Sequence, residues 1–195
     1  MGLLSEISTT ILQTLASLYL LIIVLRFLLQ IAKADFYNPV SQFIVKATNP
    51  LLIPLRRIIP GLFGLDIPCI VLALVLQWLV IQALGFLSIG SLLPALPVLI
   101  WSIIGLVSLV LNIYFWGLLI MVIISWVAPG NPNPMLTLLN SLINPALKPI
   151  QRIIPPLGGL DLTPIFAFLL IHILRLVVNH MAQAAGLPPQ LVLGI

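Results

Sequence analysis

Two arginines stand inside long apolar runs of this chain, Arg26 in the first and Arg175 in the last. A guanidinium at the centre of a membrane span costs roughly 2.5–3.5 kcal/mol on insertion scales, so each has to face a partner, a headgroup or water. Arg26, Gln30 and Lys33 follow i, i+4, i+7, and His172, Arg175 and Asn179 follow i, i+3, i+7, so each helix carries one polar stripe. The stripes read in two ways. They are either glue between helices, with hydrogen bonds of roughly 0.6 kcal/mol each and Arg26 snorkelling to nearby headgroups, or the lining of a solute or ion path. Snorkelling does not serve Arg175, which lies 14 residues beyond Asp161, roughly 21 Å by helical rise.

Residues that carry catalysis are scarce. There is one thiol, Cys69, and four carboxylates, Glu6, Asp35, Asp66 and Asp161. His172 and His180 share a helix without a third ligand. No nucleophile, base and orienting group fall in order, no Gly-rich loop could cradle a phosphate, and no Cys or His spacing fits a metal, so the expectation is no enzyme, no cofactor and no metal. Eight Lys and Arg against four Asp and Glu give a net charge of +4. Basic residues without aromatic interleaving argue against nucleic acid, and an anionic lipid leaflet is the better acidic partner.

Composition says what must position these residues. Of 195 residues, 62% are hydrophobic and 6% charged, and mean hydropathy is +1.28, which excludes a soluble globule. Four stretches reach the spanning length of about 20 residues: 7–31, 67–86, 98–127 and 162–181. Between the first two lie Lys33, Lys46, Arg56 and Arg57, and between the last two Lys148 and Arg152, while the middle connection and both tails have no Lys or Arg. By the positive-inside rule both long loops (32–66 and 128–161) face the cytoplasm and both termini the other side. No basic residue precedes the first run and no small-residue cleavage pattern follows it, so it is expected to be retained as a span. The uncharged stretch from Ala182 to Ile195 is expected to lie loosely at the outer surface.

The chain repeats itself at an offset of 95 residues: Asn49 to Asp66 aligns without a gap on Asn144 to Asp161, with 12 of 18 positions identical. Each copy (1–96 and 97–195) holds two spans and one loop, so the copies share an orientation as parallel repeats. After Asn38-Pro39 and Asn133-Pro134 the apolar positions Val40, Phe43, Ile44, Ala47 and Met135, Leu138, Leu139, Leu142 recur with helical spacing. Each loop therefore begins an amphipathic helix, capped by Asn with Pro as its first residue. A second Asn-Pro, at Asn49 and Asn144, is expected to start another short helix that Pro54 or Pro149 kinks and Pro60 or Pro155 stops. Such helices suit the interface plane, with Arg56, Arg57, Lys148 and Arg152 reaching lipid phosphates or partners. Asp66 and Asp161 precede spans two and four, either as helix caps or as carboxylates that pair with an Arg or attract a cation. Turn geometry accounts for Gly158-Gly159.

Arg26, the run Asp35-Phe36-Tyr37-Asn38-Pro39, Ser41-Gln42-Phe43 and the paired Arg-Ile-Ile-Pro stretches ending in Gly-Leu-Asp resemble the YggT (YlmG) family of small bacterial membrane proteins, built from two such repeats. The resemblance implies an all-α protein with four transmembrane helices in the bacterial cytoplasmic (inner) membrane. It also implies a role in osmotic-stress tolerance or cation homeostasis, in cell division, or in maturation of membrane complexes. Two classes of function follow. One is a surface-organising protein that meets anionic headgroups, a second copy of itself or another membrane protein; the other is a cation or solute pathway.

Overall fold

In the computed structural model, which describes residues 3–61, 64–128, 133–154 and 161–194, the apolar runs form four long helices and each loop adds one more. In chain order these are α1 (Leu3–Ile31), α2 (Pro39–Ile58), α3 (Ile67–Ile89), α4 (Ala95–Val127), α5 (Pro134–Ile153) and α6 (Thr163–Ala184). Four stretches are long and apolar enough to cross a membrane, Glu6–Ile31, Ile67–Ile89, Ala95–Val127 and Thr163–Ala184. The spans thus run somewhat past the sequence boundaries. Helix α3 continues until Gly90, whose φ of 76° ends it in the left-handed region. On α6, Leu169, Leu170, Ile173, Leu176 and Val177 are exposed, as suits a surface solvated by acyl chains.

The duplication is visible in the packing. Helix α1 packs on α3 as α4 packs on α6, and α2 touches α1 and α3 as α5 touches α4 and α6. The copies meet through α3 with α4 and through α2 with α5. The Asn caps form as expected: Asn38 Oδ1 accepts from the Val40 amide and Asn133 Oδ1 from the Met135 amide, each at 2.9 Å.

The second Asn-Pro does not restart a helix. Helix α2 runs through Pro50 and Pro54, and α5 through Pro145 and Pro149. A helical proline deletes one backbone bond and crowds the preceding turn. In α2 the carbonyls of that turn gain outside donors, Val45 O from Arg26 NH1 and Ala47 O from the Tyr19 hydroxyl, each at 3.3 Å. Pro60 follows the end of α2, whereas Pro155 and Gly158-Gly159 lie outside the described residues.

The buried face of α2 is also rotated from its apolar pattern. Ser41, Ile44, Thr48 and Leu52 are buried while Phe43 is exposed. The hydroxyls can turn inward because Ser41 Oγ donates to Asp35 O at 2.8 Å and Thr48 Oγ1 to Ile44 O at 2.7 Å. In α5, Leu138 and Leu142 of the apolar pattern are buried, joined by Ile143 and Leu147, and Met135 is exposed.

The C-terminal segment is not loose. Leu187, Val192 and Leu193 are buried, and its irregular backbone is held by side chains of the bundle. Gln13 Nε2 donates to Gln190 O at 2.7 Å, Trp101 Nε1 to Ala185 O at 2.9 Å, Gln77 Nε2 to Leu193 O at 3.0 Å and Asn112 Nδ2 to Gly194 O at 2.8 Å. Non-helical backbone is tolerated at membrane depth only where protein satisfies it in this way. Gly105 makes room: a Cβ there would stand 2.5 Å from both Gln77 Nε2 and Val192 Cγ1.

Candidate functional site

Arg26 sits one turn inside the end of α1 and is 5% exposed. It does not snorkel. Its NH1 donates to three acceptors on α2: Val45 O at 3.3 Å, Asn49 Oδ1 at 2.9 Å and Thr48 Oγ1. Thr48 itself is fully buried. The guanidinium therefore docks the loop helix onto the first span, and the cost of its burial is met by bonds to a charged donor worth about 1.5–3 kcal/mol in the general case.

The neighbouring arginine is paired with a carboxylate. Arg56, in the last turn of α2, reaches Asp66 at the start of α3 through Nε to Oδ1 at 3.4 Å and through NH2 to Oδ2. Asp66 is 5% exposed and occupies the N-cap position of α3 without a capping bond. Asp161, one residue before the N-cap Leu162 of α6, accepts from the Thr163 amide at 2.9 Å. The two copies thus use equivalent aspartates differently.

Between α1 and α2 these groups border a cavity of about 490 Å³, lined by Arg26, Gln30, Gln42, Lys46 and Arg56 among others. Arg26, Gln30 and Arg56 are sequence candidates that the fold brings to one place. Lys46 was legible only as a loop cation, and Gln42, whose Nε2 donates to Tyr37 O at 3.2 Å, only as part of a motif. A signal for the cluster was present. Offset by 95, Arg26, Lys46, Thr48 and Arg56 become Met121, Ser141, Ile143 and Gln151, so the charges and the hydroxyl that receives one of them disappear together. Arg57, Lys148 and Arg152 lie outside the cavity on exposed surface.

The stripe on α6 is divided. Arg175 turns towards α4, where NH2 donates to Asn112 Oδ1 and the guanidinium carbon lies 4.3 Å from the centre of the Phe115 ring. Its buried Nε has no acceptor among the described residues. His172 and Asn179 are exposed. Since Asn112 also holds Gly194, Arg175 belongs to the anchoring of the C-terminal segment. Gln82, like Gln77, bonds irregular backbone: Nε2 to Leu93 O and Oε1 from the Leu93 amide, both at 2.9 Å. No group of three or more His, Cys, Asp or Glu that could hold a metal occurs among the described residues.

Four spanning helices in two repeats, each with a loop helix packed on its own pair, define an all-helical multi-pass membrane protein. The chain belongs to the CCB3/YggT family, whose model matches it twice, over residues 5–87 and 100–182. It is similar to an uncharacterized protein of Pseudomonas aeruginosa, 52% identical over 93% of both chains, and to the uncharacterized protein YggT of Escherichia coli K12, 39% identical over 91% of this chain and 92% of the relative. A chloroplastic YlmG homolog protein 2 of Arabidopsis thaliana is 41% identical over 35% of this chain and 26% of its own. No solved structure matches.

Proposed function

We propose that the protein is a non-enzymatic component of the bacterial cytoplasmic membrane. Its paired loop helices organise the inner membrane surface and so contribute to osmotic-stress tolerance or ion homeostasis. The observation that carries this reading is the pairing of α2 with α5. Basic residues stand in the last turn of each, Arg56 and Arg57 on α2 and Arg152 on α5. Parallel repeats place both ends on one side, where cations also complement the helix C-termini. Exposed Phe43, Leu51, Ile53 and Ile58 on α2, the last three within a few residues of Arg56 and Arg57, suit helices seated in the headgroup region over acidic lipid, with both chain termini across the membrane.

A surface role is favoured over a conduit because Gln77 and Asn112, polar side chains on the spans, each donate to the backbone of the C-terminal segment. Two further cavities, of about 220 and 250 Å³, border Cys69 and Ala73 in one case and Leu118 and Ile171 in the other, among apolar side chains. The exposed His172 and Asn179 are the positions where a neighbouring membrane-protein chain, a second copy included, would meet α6.

The test is the double variant Arg57→Glu, Arg152→Glu in cells lacking the native protein. It should insert at the wild-type level and fail to restore growth after an osmotic upshift. Full restoration would overturn the reading.

A further inference from the structure

We propose that the cavity between the end of α1 and α2 is a binding site for one phosphate-bearing anion, an acidic lipid headgroup or free phosphate, and that only the first repeat carries it. The proposal rests on the surface reading above and adds a defined site and ligand to it.

The first observation is a half-used guanidinium. Arg26 NH1 makes all three protein bonds, while Nε and NH2 have no acceptor among the described residues, and the side chain borders the cavity. A buried arginine with donors to spare is a site for an oxyanion such as phosphate, two of whose oxygens match the guanidinium fork. The second is charge. Arg26, Lys46 and Arg56 border the space and no carboxylate among the described residues lines it, while Asp66 is bound to Arg56. Two positive charges are left over, which suits a phosphate mono- or dianion.

The third observation is room, since about 490 Å³ holds many times the ~30 Å³ share of one water. The fourth comes from the duplication. Helix α5 packs against the bundle as α2 does, yet carries Thr137, Ser141 and Gln151 where α2 has Gln42, Lys46 and Arg56, with Met121 facing it in place of Arg26. The second loop helix docks without these cations, so docking accounts for Arg26 but not for Lys46 beside it. Their concentration around one cavity in one copy is explained by a ligand.

The full chain would be placed in phosphatidylcholine vesicles containing a minor fraction of spin-labelled phosphatidylglycerol, and the immobilised lipid compared for wild type, Lys46→Glu, Lys46→Ser and Lys148→Glu. Lys46 is exposed and is replaced by Ser in copy two, so the Ser variant keeps the test alive if the Glu variant misfolds. Wild type and Lys148→Glu should hold the labelled lipid. Lys46→Ser should weaken it about fivefold, as expected for one basic residue near a lipid surface, and Lys46→Glu more. Millimolar inorganic phosphate separates the sources: displacement of the label means the cavity accepts phosphate itself, and no displacement means it takes the lipid headgroup. Equal weakening by Lys46→Glu and Lys148→Glu would overturn the site and leave the general surface role standing. No preference of wild type for phosphatidylglycerol over spin-labelled phosphatidylcholine would overturn both.

Discussion

Replacing Arg26 by methionine, the residue of the second copy, takes away the donor that Val45 O, Thr48 Oγ1 and Asn49 Oδ1 share. Thr48 keeps Ile44 O as the acceptor for its own proton, but the half-buried Asn49 Oδ1 loses its donor. Losing hydrogen bonds to a charged group costs about 1.5–3 kcal/mol, and part of that is returned because a guanidinium no longer has to be buried. A net loss of about 2 kcal/mol in the docking of α2 raises its local opening roughly 30-fold. Hydrogen exchange of α2 amides in the reconstituted chain reads this directly, with α5 as an internal reference because its neighbour at the equivalent place is already Met121. Adding Thr48→Ile should recover part of the protection, since Ile143 sits in the apolar core and Met121 packs against it. If α2 in Arg26→Met exchanged no faster than α5, the claim that Arg26 docks the loop helix would be wrong.

Two further outcomes follow from the C-terminal segment. Gly105→Val would push into Gln77 Nε2 and Val192 Cγ1, each 2.5 Å from the position of a Cβ; overpacking costs about 1–3 kcal/mol, so the segment should detach and a cysteine at 193 should become labelled while the spans still insert. Labelling at the wild-type rate would refute the tight fit. Arg175→Leu removes the bond to Asn112 and the contact over Phe115 and should lower thermal stability by about 2 kcal/mol without changing cation flux in liposomes. A change in flux would return Arg175 to a conduction role.

Much of this molecule was legible in the chain because its physics is local or periodic. Four apolar runs could only be membrane spans, and the offset of 95 residues required parallel copies. Asn38 and Asn133 announced the starts of α2 and α5 because a cap is a contact between residues two apart. What failed were inferences that extended local rules to groups with distant partners. Pro50 and Pro54 read as breaks, yet α2 runs through both, with donors from α1 reaching carbonyls in the turn before Pro50. The inward positions of Ser41 and Thr48 carried no apolar signal, since both are buried with their hydroxyls bonded to nearby backbone.

Residue types and spacing alone fixed that hydrocarbon surrounds four helices, that the loops are helical, and that Arg26 and Arg175 require partners. Which partners they have was decided by the tertiary structure. Arg26 bonds a helix about twenty positions on, Arg56 closes on Asp66 across a turn, and Asn112 joins Arg175 to a segment at the far end of the chain. The reason is that a buried charge is stabilised by whichever acceptor the packing delivers, and packing between distant segments leaves no period in the sequence.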